Sequence, residues 1–277
     1  MRAGPSQRRA EFGTGDATSL SKALAILRLV ATRNLRGIKS AEVRRQTGLS
    51  TTTTHRLLHA LADEGFLSFD PYSKRYYLGP DAAMLGAACG WTALLREHRE
   101  PLQMALERIA RITGDTSYLS VRQDHSAVCV GKAQGSFAVS ANTLDLGARR
   151  PLGVGAGSLA LLAALPPAEI AEIISVHRDT YTRYGRLTAE HVQAATDAAQ
   201  SCGYAFNDSM IIEGVGAIGV SVHDPDAGPN ALPVAAISVA AISSRLRAER
   251  RAEICATIRA TLAQFNLADR RDSLAAH

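Results

Sequence analysis

Several chemistries are excluded by what this 277-residue chain lacks. Its four cysteines, Cys89, Cys129, Cys202 and Cys255, show no Cys-x-x-Cys spacing, so neither a zinc site nor a redox dithiol is indicated. They read instead as buried small hydrophobes in a reducing compartment. Long hydrophobic runs are missing too, and the apolar stretch Leu159 to Leu165 is far too short to span a bilayer. Arg2, Arg8 and Arg9 are followed by no apolar segment before Asp16, which argues against a signal peptide. The expectation is a cytoplasmic protein with no membrane partner. No nucleophile motif accompanies His125, His177 or His223, and Cys129 and Cys202 lack the setting of a catalytic thiol, so an enzyme is not expected.

What is present is a globular composition, 46% hydrophobic and 21% charged with 22 glycines and 10 prolines, which excludes collagen-like and wholly disordered chains. The net charge of +5 is unevenly placed. Residues 1–80 hold 13 Lys/Arg against six acids, and the remainder 18 against 20. A basic first segment on a nearly neutral body suggests a module that binds a polyanion, attached to a domain with another task; a solvated basic surface is the alternative.

Residues 1–17, polar and Gly-rich, read as a flexible arm. The apolar positions Leu20, Ala23, Leu24, Leu27 and Val30 or Ala31 then trace one face of a helix capped by Ser19. Lys39 to Thr47 reads as a short second helix, with Ser40 as a possible cap and Gly48 as its stop. Ser50 is placed to cap a third, running to about Asp63, with Leu57, Leu58 and Leu61 inward and Thr52, His55, Arg56 and His59 outward. Helix, Gly turn, helix is the helix-turn-helix arrangement. Phe66 to Asp70 and Lys74 to Leu78 form a hairpin, or wing, across the Asp70-Pro71-Tyr72-Ser73 turn.

A helix whose exposed start carries short hydroxyl side chains can enter a major groove. Ser50, Thr51, Thr52, Thr53, His55 and Arg56, with Arg44, Arg45, Lys74 and Arg75, are therefore the candidate contacts to bases and phosphates of double-stranded DNA. The threonines could instead form a solvated first turn, and Arg56 a surface salt bridge. His55 and His59 lie four apart with no third ligand near, so no metal site is assigned.

Lys39-Ser-Ala-Glu-Val-Arg-Arg-Gln-Thr-Gly-Leu-Ser50, Thr-Thr-Thr-Thr-His-Arg-Leu-Leu-His-Ala-Leu61 and Tyr76-Tyr-Leu-Gly-Pro80 resemble the IclR family of bacterial transcriptional regulators. Gly147-Ala-Arg-Arg-Pro-Leu152, Gly155 to Leu165, Gly203-Tyr-Ala205 and Gly214-Val215 resemble landmarks of its second half. The resemblance runs from about Ser19 to about Arg259. It implies an α+β protein: an N-terminal winged helix-turn-helix, a linker helix and a C-terminal GAF-like mixed α/β domain that binds a small effector. Thr52 and Thr53 stand where the motif usually has Ser-Thr. The implied partners are operator DNA, a small organic acid or aromatic metabolite, and further copies of the chain in a homodimer or homotetramer; no cofactor is implied. Repression of catabolic genes is the implied function, with activation as the alternative.

On this reading the DNA-binding domain is 18–80, the linker helix 81–97, the effector domain 98–262 and the tail 263–277. Helices are expected from Asp81 to about Arg96 and from Arg99 to Ile112, with Trp91 anchoring either a helix–helix interface or its own domain. In the body, Thr116 to Arg122, Ala127 to Lys132 and a third segment near Phe137 to Ala141 read as strands. Four glycines, at 147, 153, 155 and 157, precede an apolar helix Ser158 to Leu165, which Pro166-Pro167 ends. A Gly-rich turn at a helix start offers free N–H groups to an anion, although the stretch lacks both phosphate-loop fingerprints. Helices at Glu169 to Ser175 and Leu187 to Ser201, strands at Gly216 to His223 and Pro233 to Ala240 around a 224–230 turn, and a helix Arg245 to Leu262 complete the reading.

By resemblance, the effector pocket is lined by the 129–131 strand (Cys129, Val130 and Gly131), by the Gly-rich turn with Gly155, Ala156, Gly157 and Ser158, by the 203–217 segment with Asn207 and Ala217, and by the strand ending at Ser238. Asn207 replaces a frequent acid, Ser209-Met210 a frequent pair of glutamates, Ala217 a cysteine and Ser221 a proline. The expected effector is an organic anion or neutral aromatic molecule rather than a cation.

Overall fold

The computed structural model describes residues 18–34, 36–88, 92–138, 141, 143–223, 226 and 231–267, of which 87, 88 and 92–97 by backbone alone. The arm 1–17, Cys89, Trp91, most of the 224–230 turn and the end of the tail lie outside the described residues. The chain divides into two compact units, Met1–Gly90 and Trp91–His277.

The first unit begins with α1 (Ser19–Thr32), whose N-cap is Thr18 rather than the expected Ser19: the Thr18 side chain accepts from the Ser21 N–H. α2 (Ser40–Thr47) starts from Lys39 without a side-chain cap, so Ser40 opens the helix instead of capping it, and Gly48 ends it at φ 71°. α3 (Thr51–Asp63) is capped by Ser50. β1 (Leu67–Asp70) and β2 (Arg75–Leu78) pair antiparallel, and Ile38 bridges to Tyr76 along the outer edge. Ile26, Val30, Ile38, Val43, Leu57, Leu58, Leu67 and Tyr76 close one small core between the helices and the hairpin. α4 (Pro80–Ala88) follows directly.

The second unit opens with α5 (Thr92–Thr113), a single helix that starts well before the expected Arg99 and runs through Pro101. A proline inside a helix removes a hydrogen bond at a cost of about 3 kcal/mol. Here the buried row Leu102, Ala105, Leu106 and Ile109 just beyond it supplies the opposing packing. A six-stranded antiparallel sheet follows, in the order β5-β4-β3-β8-β7-β6. Its strands are β3 (Thr116–Gln123), β4 (Ser126–Ala133), β5 (Arg149–Pro151), β6 (Ala205–Asp208), β7 (Val215–Val222) and β8 (Ala235–Ile242).

Of the strand expected near Phe137 to Ala141, Phe137, Ala138 and Ala141 lie outside any strand and 139–140 lie outside the described residues; β4 is bordered by Arg149–Pro151. Phe137 is occupied otherwise, with the Arg245 guanidinium 3.8 Å over its ring. β6 was not anticipated as a strand. α6 (Ala156–Ala163) begins two residues earlier than expected. Pro166 and Pro167 serve as N-cap and first residue of α7 (Pro167–Val176), because a helix start needs neither proline's missing N–H. α8 (Arg178–Tyr181), α9 (Ala189–Cys202) and α10 (Ala248–Gln264) complete the unit.

Period-2 alternation sorts this sheet into two unlike faces. Leu119 and Val121 of β3, Ile218, Val220 and Val222 of β7, and Ile237 and Val239 of β8 pack with Leu106 and Ile109 of α5 and with Ile254 and Ile258 of α10. The opposite face carries small side chains, among them Ser120, Ala217, Gly219, Ala236, Ser238 and Ala240. There α6 comes so close that a Cβ on Gly219 would lie 2.2 Å from the Ala156 carbonyl oxygen. Small residues between that helix and the sheet leave room for a pocket.

Candidate functional site

In the first unit, the turn between α2 and α3 depends on Gly48 at positive φ, whose N–H donates to the Arg44 carbonyl. Ser50 Oγ accepts from the Thr53 N–H and donates to Thr53 Oγ1, while Thr54 Oγ1 donates to the Ser50 carbonyl. The hydroxyls of Ser50, Thr53 and Thr54 therefore serve the helix start. Thr51, Thr52, His55, Arg56 and His59 face solvent along one side of α3, and Arg44 and Arg45 are exposed on α2.

Arg56 makes no hydrogen bond or ion pair among the described residues. The His55 ring is held at two points: Nε2 lies 3.2 Å from Ser40 Oγ, and the ring stacks on His59 with centroids 6.3 Å apart. In the hairpin, the Asp70 carboxylate accepts from Ser73 and from the Tyr72 N–H. The Ser73 hydroxyl and then that N–H hold its pKa below the ordinary carboxylate range. That turn leaves Tyr72 96% exposed and Lys74 exposed at φ 56°. Arg75 is turned back, with Nη1 donating to the Gly37 carbonyl at 2.9 Å, so it braces the hairpin instead of reaching out from its tip.

In the second unit, α6, the small-residue face of the sheet and two loops border a cleft. Gly155, Ala156, Gly157, Ser158, Asn207, Ala217 and Ser238 line it. Cys129, Val130 and Gly131 do not. A β-bulge turns Val130 and Gly131 away: Leu119 pairs with Gly131 and Ser120 with Cys129, leaving Val130 as the extra residue. Val130 joins the α5/α10 side, Gly131 backs onto Leu106, and Cys129 is sealed behind the pocket with Tyr118, Ala141 and Ala240. Burial raises the Cys129 thiol pKa to about 11, so it stays protonated and unreactive at neutral pH.

Ile211 and Ile212 lie in the expected 203–217 segment and Val154 in the Gly-rich turn, whereas Tyr118, Ser120 and Thr143 fall outside every expected lining segment and Arg150 was not singled out. Arg150 stood inside the quoted Gly147-Ala-Arg-Arg-Pro-Leu152 stretch. Alternation along β5 turns Arg149 outward, where it donates to Gln123 Oε1, and Arg150 inward. Arg150 Nη2 donates to the Thr143 carbonyl, and burial pulls its pKa down from the ordinary arginine value. Tyr118 Oη donates to the Ala141 carbonyl at 2.9 Å and accepts from the Thr143 N–H at 3.0 Å, fixing the same loop over the cleft. Among the described residues, no carboxylate lines this pocket.

Two family matches run in order along the chain: the IclR helix-turn-helix domain at residues 19–71, and the bacterial transcriptional regulator IclR C-terminal domain at residues 96–266. The chain belongs to the IclR family of bacterial transcriptional regulators. Among its relatives, the glycerol operon regulatory protein of Streptomyces coelicolor is 28% identical over 246 residues, covering 87% of this chain and 92% of that one. The transcriptional repressor IclR of Escherichia coli is 24% identical over 250 residues, covering 88% and 87%. The crystal structure of an IclR homologue from Microbacterium hydrocarbonoxydans complexed with 4-hydroxybenzoate shares the fold with TM-score 0.61 at 20% identity, covering 89% of this chain and 100% of that one.

IclR regulators are typically ligand-responsive DNA-binding transcription factors, often repressors, and not enzymes. Among the described residues, no group of three or more His, Cys, Asp or Glu could hold a metal ion. No described helix is long and apolar enough to cross a membrane.

Proposed function

We propose that this protein represses catabolic genes by binding their operator DNA through α3, and that a small organic acid or aromatic metabolite in the α6 pocket modulates that binding. The observation that carries the reading is the pairing, on one chain, of an outward row of Thr51, Thr52, His55 and unpaired Arg56 with a separate acid-free cleft around α6. Arg44, Arg45 and Lys74 add phosphate contacts, and the β1–β2 hairpin acts as the wing. The second unit is the GAF-like effector domain. Two copies related by a twofold axis read an inverted repeat, as a homodimer or within a tetramer in the cytoplasm. The 4-hydroxybenzoate held by the Microbacterium homologue and the likeness to the Escherichia coli transcriptional repressor support the effector class and the sign of regulation.

Effector control requires that the ligand bind two states of the protein unequally; a coupling of about 1–3 kcal/mol changes operator affinity about 5- to 150-fold. The test is gel retardation of DNA from upstream of the protein's own gene. Intact protein should retard it, and Arg56→Ala should weaken binding about 10- to 100-fold, the equivalent of about 1–3 kcal/mol for a direct contact. Equal binding by the variant would remove Arg56 from the interface. Transcription from the same promoter, lower with the protein than without it, checks repression against activation.

A further inference from the structure

We propose that Arg150 selects the ligand of the α6 pocket, and that this ligand is a small monocarboxylate bearing a second oxygen function: its carboxylate meets the Arg150 guanidinium and the first turn of α6, and its other oxygen lies between the hydroxyls of Ser120 and Ser238. The proposal rests on the effector-pocket reading given above.

A guanidinium offers five N–H donors, and Arg150 uses one, toward the Thr143 carbonyl. It has no ion pair among the described residues; Asp145 acts on it only through space. A largely buried cation without a counterion is costly, and a carboxylate presented in its plane relieves that cost through two parallel charge-assisted hydrogen bonds. Arg150 Nη1 lies 3.7 Å from where a Cβ on Gly155 would stand, and Gly155 is the N-cap of α6 at φ 95° with no capping side chain. The guanidinium and the positive end of the helix thus converge on one spot.

The other end of the cleft has different chemistry. Ser238 is 7% exposed and Ser120 3%, yet neither hydroxyl has a hydrogen-bond partner among the described residues. They lie 3.1 Å and 3.4 Å from the position of a Cβ on Gly157. Both residues line the cleft, so their hydroxyls are free to meet a ligand oxygen that can donate to one and accept from the other. Gly155 and Gly157 are two residues apart, at most about 7 Å between Cα atoms, so a single-ring or shorter molecule spans both ends. Val154 and Ile211 add apolar lining. With one cation and no second, a dicarboxylate would leave one charge unpaired, which sets the preference for a monoanion.

Calorimetric titration of the full chain with 4-hydroxybenzoate, benzoate, 4-hydroxybenzamide, lactate and lactamide tests this. 4-Hydroxybenzoate and lactate are each expected to bind at least tenfold more tightly than the corresponding amide, and 4-hydroxybenzoate more tightly than benzoate. Arg150→Gln should bring carboxylate and amide to equal affinity, and Ser238→Ala should bring 4-hydroxybenzoate down to benzoate. Should Arg150→Gln fail to fold by circular dichroism, Arg150→Lys decides: it must retain the preference for carboxylate. Amides binding as well as carboxylates, unchanged affinity in Arg150→Gln, loss of preference in Arg150→Lys, or no binding by any probe overturns the proposal. A neutral compound that shifts operator affinity would leave the effector reading standing and remove this one. A carboxylate held by Arg150 that leaves operator affinity unchanged would do the reverse.

Discussion

Arg56 and Arg150 carry the same guanidinium in opposite settings. Arg56 stands in open solvent on α3 among other exposed cations, whereas Arg150 is drawn under a loop against a helix start, with one hydrogen bond and no ion pair among the described residues. The contrast separates two ways of recognising negative charge. An exposed row of cations is screened within about 8–10 Å at ordinary ionic strength and gains strength by number, which suits a polyanion. A desolvated cation is screened far less, so a single one suffices to select a small anion, provided the pocket is shaped to admit it.

The largest effect that tests this separation comes from the cores. Leu58 is fully buried in the small core of the first unit. Leu58→Ala should cost about 2–5 kcal/mol and abolish operator retardation. Because the second unit has its own cores, the heat of ligand binding should survive; joint loss in calorimetry would show the two units to be one cooperative body. The reciprocal change is Gly219→Val, whose new side chain meets the Ala156 carbonyl oxygen at 2.2 Å. Pushing α6 off the sheet should cost about 1–3 kcal/mol and remove ligand binding while leaving DNA binding in place.

Smaller changes sharpen the contrast within the first unit. Ser50→Ala removes the α3 cap and should lower stability by about 1 kcal/mol in thermal melts, with weakened operator binding through fraying of the contact turn. Lys74→Ala touches no buried group and should leave stability unchanged. It should reduce the slope of log affinity for DNA against log salt by about 0.9, whereas ligand affinity in the pocket should respond to salt much less. A steep salt slope for ligand binding would erase the distinction between the two arginines.

The first unit was legible in the sequence because its signals are local. Gly48, the Ser50 cap and the Leu57/Leu58 stripe each act within a few residues, and α3 is formed where they place it. The pocket was legible only in part. Gly155 to Ser158 announced themselves as a glycine-rich helix start, and Asn207, Ala217 and Ser238 came from the family likeness. Val130 and Gly131 lie elsewhere because one bulged residue shifts the facing of β4 relative to β3, and Cys129 is covered by Tyr118, Ala141 and Ala240, both outcomes of packing between distant segments. Ser120 and Arg150 have no local signature that separates them from Ser117 or Arg149. Their facing depends on strand register, and β5 is three residues long.

By itself, then, the sequence determined the order of units, the helix-turn-helix with its outward cations, and the concentration of positive charge in the first 80 residues, since short-range capping, periodicity and composition are written residue by residue. Tertiary structure decided that α5 runs through Pro101, that Arg75 braces the hairpin, and that Arg150, Ser120 and Ser238 share one cleft. Each of those outcomes is set by partners many residues away, whose burial and hydrogen bonding outweigh the local preference.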